Sequence, residues 1–154
     1  MSKARIAGGV LAALVTVVGG FEGVRYVAHR DPVGIPTICF GHTLGVEMGD
    51  TATPAQCDTL LADELAQHAE VLRCFSFTLE PHQQVAVISW TYNVGIGAAC
   101  KSTLVRLANA GHPPNVWCAQ LSRWTRAGGI ELPGLVRRRA EERSICEGSW
   151  TSTG

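Results

Sequence analysis

The chain begins with an uncharged apolar run, Ile6 to Phe21, in which Val and Leu are diluted by Ala7, Gly8, Gly9, Ala12, Ala13, Thr16, Gly19 and Gly20. From Val24 to His42 the texture changes. Tyr26, Val27, Val33, Ile35, Ile38 and Phe40 lie among Pro32, Gly34, Pro36 and Gly41, which predicts short strands and turns. Thr53 and Pro54 then open a helical pattern, with Thr53 as N-cap and Leu60, Leu61, Leu65 and Leu72 at roughly helical spacing. A second such pattern runs from Pro81 through Val85, Ile88 and Tyr92 and is predicted to end at Gly95 and Gly97. Ser102 is placed to cap a helix through Leu104, Leu107 and Ala108, stopped by Gly111 and the pair Pro113, Pro114. Val116, Trp117, Leu121 and Trp124 mark the next helix, with Trp124 read as core. Gly128-Gly129 breaks the chain before a last helix from Pro133 to about Glu147. Strands grouped ahead of helices predict an α+β layout, a small sheet near the N-terminus followed by a mainly helical body.

Composition narrows the classes. A chain of 154 residues that is 46% hydrophobic and 17% charged fits one compact domain with a core that needs no metal. Thirteen basic residues balance thirteen acidic ones, so no long-range field recruits nucleic acid. Arg137, Arg138 and Arg139, followed by Glu141 and Glu142, read as a solvated, self-paired helix face.

Six cysteines are many for a small cytosolic enzyme and ordinary for an oxidising compartment. They lack a close Cys pair, and the chain has no H-E-x-x-H, so no metal site is expected; nor is there a motif for calcium, nucleotide or another cofactor. Three disulfides are the reading preferred. Of the 15 possible connectivities, pairing of neighbours along the chain staples adjacent elements with least strain: Cys39 with Cys57, Cys74 with Cys100, Cys118 with Cys146.

An oxidised protein must leave the cytoplasm, and Lys3 and Arg5 ahead of the apolar run resemble an export signal. As a helix the run would span ~24 Å against a hydrocarbon core of ~30 Å, short for an anchor. No A-x-A-like cleavage site lies near Gly20, and a buried core helix is the third reading.

Candidate chemistry lies just beyond this run. Glu22 ends the first predicted helix beside Phe21, where apolar neighbours and the helix C-terminus would both raise the pKa of a carboxyl, as a general acid requires. Asp31, next to Arg30 among polar turn residues, is suited to stay ionised, and Thr37 could hold a water against it. Two carboxylates in opposed environments point to glycoside hydrolysis.

The whole string, E-x8-D-x5-T running into C-F-G-H-T, resembles the phage-type lysozymes, or endolysins. The resemblance extends through Tyr92-Asn93-Val94-Gly95, Ser102 to Leu107, Leu121 to Trp124 and Gly134 to Arg139, nearly the whole chain. It implies a mainly helical lysozyme-like fold and a muramidase that cuts the β-1,4 bond between N-acetylmuramic acid and N-acetylglucosamine in peptidoglycan. By position Glu22 would be the general acid, Asp31 the base and Thr37 the water-positioning residue, with inversion at the sugar and carboxyls ~6.5–9.5 Å apart. Tyr92 and Asn93 would touch substrate, and His42 would be structural. An Arg of the last helix pairs with the acid in the family; the matching position here is Leu135, which leaves Arg137, Arg138 and Arg139 as candidates for that part. The N-terminal run resembles a signal-anchor-release segment. On that reading residues 1–21 export a monomeric catalytic domain, 22–154, tether it through residues 6–21 to the inner membrane, and release it into the periplasm to lyse the host. The alternatives are a lytic transglycosylase and an inactive cell-wall binding module.

Overall fold

The structure is a computed structural model, and residues 5–149 are described. They form two compact units, one spanning Leu11–Gln67 and the other combining residues up to Val10 with those from His68 onward.

The Leu11–Gln67 unit is organised by helix α1, Val10–Glu22. The uncharged run does not start as helix: Gly8 and Gly9 form a turn, with Gly9 at φ 81°. Leu14, Val17 and Val18 are buried at helical spacing, whereas Ala12, Thr16 and Gly20 are exposed. The helix closes when the Gly23 N–H donates to the Gly19 carbonyl at 3.1 Å, with Gly23 in the left-handed conformation that favours glycine. Gly19 itself is a packing residue. A Cβ added there would lie 3.1 Å from the Phe40 ring and 3.7 Å from Leu61.

Strands β1, Arg25–Arg30, and β2, Pro36–Cys39, pair antiparallel, with His29 opposite Thr37 and Arg30 opposite Pro36; the register shifts between Arg25 and His29. A third extended segment joins β1 as Ala28 N–H donates to the Asp50 carbonyl and Ala52 N–H to the Tyr26 carbonyl, both at 2.9 Å. After β2 the chain turns back sharply, Ile38 and His42 exchanging two backbone hydrogen bonds with Cys39 at φ 61° and Gly41 at φ 99°. Helix α2, Pro54–His68, starts at the expected cap: Thr53 Oγ1 accepts from Gln56 N–H and Gln56 Oε1 accepts from Thr53 N–H. Ala28, Ile38, Cys39 and Cys57 form the core here, with Phe40, Val46, Ala52 and Leu60 around them. The Cys39–Cys57 disulfide ties the turn to α2.

The other unit is helical. A 3-10 turn, Ala69–Cys74, leads to α3, Pro81–Val94, which carries a reciprocal cap between Glu80 and Gln83 and is buried from Gln83 to Thr91. Gly95 ends α3, but Gly97 does not act as a stop; it lies inside a short α4, Ile96–Cys100. Helix α5, Thr103–Asn109, is capped by Ser102, whose Oγ accepts from Val105 N–H. The single helix expected through Trp124 is instead α6, Pro114–Cys118, followed by a 3-10 turn, Ala119–Arg123. Trp124 is half-buried rather than core, its ring edge-on to buried Trp90. Gly128 and Gly129, at φ 59° and 79°, are the loop of a two-stranded hairpin, β3 Arg126–Ala127 and β4 Ile130–Glu131. Helix α7, Pro133–Cys146, packs against α3. Cys74–Cys100 and Cys118–Cys146 bridge elements of this unit, so all six cysteines pair with their neighbours along the chain.

One expectation is overturned inside α7. Arg138, Arg139 and Glu142 are not a solvated face: Arg139 is 1% exposed and Glu142 fully buried. Glu142 accepts from both guanidiniums and, at 2.6 Å, from the Ser89 hydroxyl of α3. Arg138 also donates to the Ser89 carbonyl at 3.1 Å. Burial pushes the Glu142 carboxyl up and the Arg139 guanidinium down, and the mutual pairing opposes both shifts. Arg137 and Glu141, on the other face, are exposed as expected.

Two consequences can be measured by urea unfolding. Replacing Glu142 with Gln leaves two buried cations without a counter-charge and is expected to cost about 3–5 kcal/mol; a loss below about 1 kcal/mol contradicts the assignment. Gly19→Leu is expected to destabilise by about 1–3 kcal/mol through overpacking against Phe40, and an unchanged midpoint contradicts it.

Candidate active site

The end of α1 and the β1–β2 hairpin enclose a cavity of about 280 Å³. Its lining includes Glu22 and Thr37, with Arg25, His29, Cys39 and Gly41. Two of the three sequence candidates therefore share one cavity wall, although they are 15 positions apart (37 minus 22) in the chain. Helix geometry puts Glu22 there as the last residue of α1, and the sharp turn after β2 brings Cys39 and Gly41 around beside it.

Glu22 is exposed. It is not enclosed by the apolar neighbours expected around it, and the residues after it, Gly23 and Val24, are exposed too.

Thr37 is buried, and its hydroxyl donates to the Ile35 carbonyl at 2.9 Å. With its proton used in this way, Thr37 Oγ1 has only lone pairs left to offer and can serve a further partner only as an acceptor. Asp31 follows β1 directly and does not line the cavity. Its Oδ1 accepts from Val33 N–H at 3.0 Å and Ile35 N–H at 2.8 Å, an Asx-type turn that fixes the carboxylate plane. The backbone closes the same turn, Asp31 N–H donating to the Ile35 carbonyl and Gly34 N–H to the Asp31 carbonyl, each at 2.9 Å. Ile35 is the shared element: its N–H holds Asp31 and its carbonyl holds Thr37.

Sequence reasoning missed His29. It stands opposite Thr37 in the strand register and lines the cavity, and its Nδ1 is buried without a hydrogen-bond partner. The signal available was its place two residues before Asp31 in a strand whose partner carries Thr37. His42 bonds through Nδ1 to Glu64 of α2 at 2.8 Å, a structural tie. It borders a larger cavity of about 600 Å³, lined mostly by apolar groups such as Leu44, Val46 and Leu60, which contains none of the candidate residues.

Tyr92 and Asn93 lie in the helical unit, at the C-terminal end of α3. Tyr92 is half-buried with the His68 ring edge-on to its own, and Asn93 is exposed. The side chain of Asn93 accepts a hydrogen bond from Arg139 through Oδ1. The guanidiniums of Arg138 and Arg139 point into the interior of this unit, toward Glu142, Ser89, Asn93 and the Trp124 carbonyl. Sequence analysis could have found this from α7 itself, since Arg138, Arg139 and Glu142 share a helical stripe with Ile145 and the disulfide-bonded Cys146.

Among the described residues, no helix is long and apolar enough to cross a membrane.

Comparison with known proteins gives concordant results. The family model for phage lysozyme matches residues 19–142. A curated relative, the SAR-endolysin of Bacteriophage PS119, is 40% identical over 151 aligned positions, covering 93% of this chain and 90% of the relative. The solved endolysin from Escherichia coli O157:H7 phage FAHEc1 superposes with a TM-score of 0.81 at 28% identity, covering 99% of this chain and 98% of that one. The muramidase domain of SpmX from Asticaccaulis excentricus superposes with a TM-score of 0.79 at 30% identity, covering 92% of this chain and 97% of that one.

Proposed function

This chain belongs to the phage lysozyme family and is a glycoside hydrolase acting on peptidoglycan, and from that premise we propose a muramidase in which Glu22, Asp31 and Thr37 carry out hydrolysis of the β-1,4 bond after N-acetylmuramic acid. The observation that carries the residue assignment is the joint lining of one cavity by Glu22 and Thr37, with the Asp31 carboxylate held by the same residue, Ile35, that accepts the Thr37 proton.

In this mechanism Glu22 gives its proton to the glycosidic oxygen as the bond from that oxygen to C1 of the muramic acid breaks. A water donates one O–H to Thr37 Oγ1, which can only accept, and the other to the Asp31 carboxylate. That leaves a water lone pair for C1. As the new C–O bond forms, the water proton passes to Asp31, which releases it to solvent while solvent returns a proton to Glu22, so both carboxyls are reset for the next turnover. Attack from the face opposite the leaving group inverts the configuration. Tyr92 and Asn93 would contact the glycan, an aromatic face against a sugar ring and an amide against an N-acetyl group.

The same reading extends to location. The chain is exported to the periplasm of the host, tethered to the inner membrane through residues 6–21, and lyses the cell after release; the SAR-endolysin relatives support this. In the tethered state the α1 segment lies in lipid, and Glu22, its last residue, leaves the hairpin that bears Thr37. Release lets the apolar stripe of α1 pack in the protein.

Two outcomes are expected. Digestion of purified Gram-negative peptidoglycan should yield muropeptides ending in reducing N-acetylmuramic acid, read by mass spectrometry, and Glu22→Gln should lower their rate of formation by at least about a hundredfold. Ends of the 1,6-anhydro type indicate a transglycosylase, and no cleavage by the oxidised parent indicates a binding module; either overturns the reading. For release, leucines belong at Gly8 and Gly20, where an added Cβ meets nothing within 4 Å, and not at the tightly packed Gly19. The Gly8→Leu/Gly20→Leu variant should stay in the membrane fraction and fail to lyse cells, whereas lysis on the parental schedule contradicts membrane release as the control.

A further inference from the structure

We infer that Arg139 is a positioning residue for substrate binding: it fixes the side-chain amide of Asn93 so that only the NH2 group is presented, as a donor for an N-acetyl carbonyl oxygen of the glycan. The inference rests on the glycan-binding role proposed for Asn93.

A guanidinium carries donors and no acceptor, so the atom of Asn93 that faces Arg139 Nη2 must be the carbonyl oxygen. The amide cannot flip without setting donor against donor. Its nitrogen consequently turns away from Arg139, at a residue that is exposed and for which no other side-chain partner occurs among the described residues. An exposed Asn ordinarily samples both amide orientations; this one is held in one of them.

Arg139 can act as this clamp because every arm of its fork is engaged. Nε donates to the Trp124 carbonyl at 2.9 Å, Nη1 to Glu142 Oε1 and Nη2 to Asn93. Glu142 is fixed in turn by Arg138 and the Ser89 hydroxyl. The guanidinium therefore has no rotational freedom, and its position is set by α3, α7 and the segment at Trp124 together. Such a fork is planar and presents donors at fixed angles, which a lysine cannot reproduce. A buried charge cluster that served stability alone could be replaced by apolar residues of similar volume. Here one arm of the cluster reaches an exposed amide.

The test compares initial rates on soluble, uncrosslinked glycan strands for the parent, Asn93→Asp, Arg139→Lys and the double variant, with unfolding midpoints measured alongside. Asn93→Asp keeps an oxygen toward Arg139 and turns the outward group from donor to acceptor. It is expected to raise KM about tenfold while kcat stays within about twofold and the unfolding midpoint does not fall. Arg139→Lys is expected to raise KM by a similar factor, and the double variant to add little to either, because both remove one outward donor. A purely structural role predicts a lowered midpoint with unchanged KM for Arg139→Lys, and effects of the two substitutions that multiply. A parental KM in Asn93→Asp overturns the inference, and it does so even where Arg139→Lys does not fold. If the parent itself releases no reducing ends, it is the muramidase reading that fails.

Discussion

The approach of α1 to the Phe40 ring at Gly19 is the constraint on which the site-bearing unit depends. A large side chain at that position would press the helix against the turn that follows β2, since even an added Cβ lies 3.1 Å from the ring. Glu22 is one turn further on, so a displaced helix carries the carboxylate with it. The composition of the apolar run follows from the same geometry. A segment made only of large apolar residues would bind lipid well but could not pack here. Leu14, Val17 and Val18 supply the buried stripe, and small residues occupy both the close approach and the exposed side. The run is thus apolar enough for burial in the protein and, diluted by small residues, only weakly apolar for a bilayer.

The helical unit is built around a different requirement, the pairing of charges away from water. Glu142 is tolerated inside because two guanidiniums and a hydroxyl satisfy its oxygens, and the guanidiniums in turn find the Ser89 and Trp124 carbonyls and the Asn93 amide. Isolated, any of these ions would be costly to bury. Together they connect α3, α7 and the chain before the β3–β4 hairpin, with the Cys118–Cys146 disulfide closing the far end of α7.

Much of the fold was legible from local chemistry. Caps at Thr53 and Ser102 and the prolines at positions 54, 81 and 133 announce helix starts because they act within one turn of themselves. Disulfide pairing was readable because neighbouring cysteines sit on neighbouring elements. What sequence did not reveal depends on tertiary partners. Two-residue strands are too short to show alternation, so Gly128 and Gly129 read as a break and turned out to be a hairpin loop. The arginines of α7 looked solvated because their i, i+3 and i, i+4 spacing to glutamate is also that of a surface face; the pairing of Arg138 with Ser89, from 49 residues earlier (138 minus 89), is invisible locally. Glu22 was expected to be enclosed by apolar neighbours, yet the helix ends at exposed Gly23 and Val24 and Glu22 itself is exposed. The shared use of Ile35 by Asp31 and Thr37 depends on a turn whose hydrogen bonds no motif records.

In the mechanism proposed, a water held between Thr37 and Asp31 attacks C1 directly while Glu22 protonates the leaving oxygen. Stereochemistry reports on this most directly. Proton NMR of soluble glycan strands during the first minutes of digestion, before mutarotation, should show the newly formed reducing N-acetylmuramic acid as the α anomer. Initial formation of the β anomer would mean a covalent or ion-paired intermediate on the opposite face, and would contradict the roles assigned to Asp31 and Thr37.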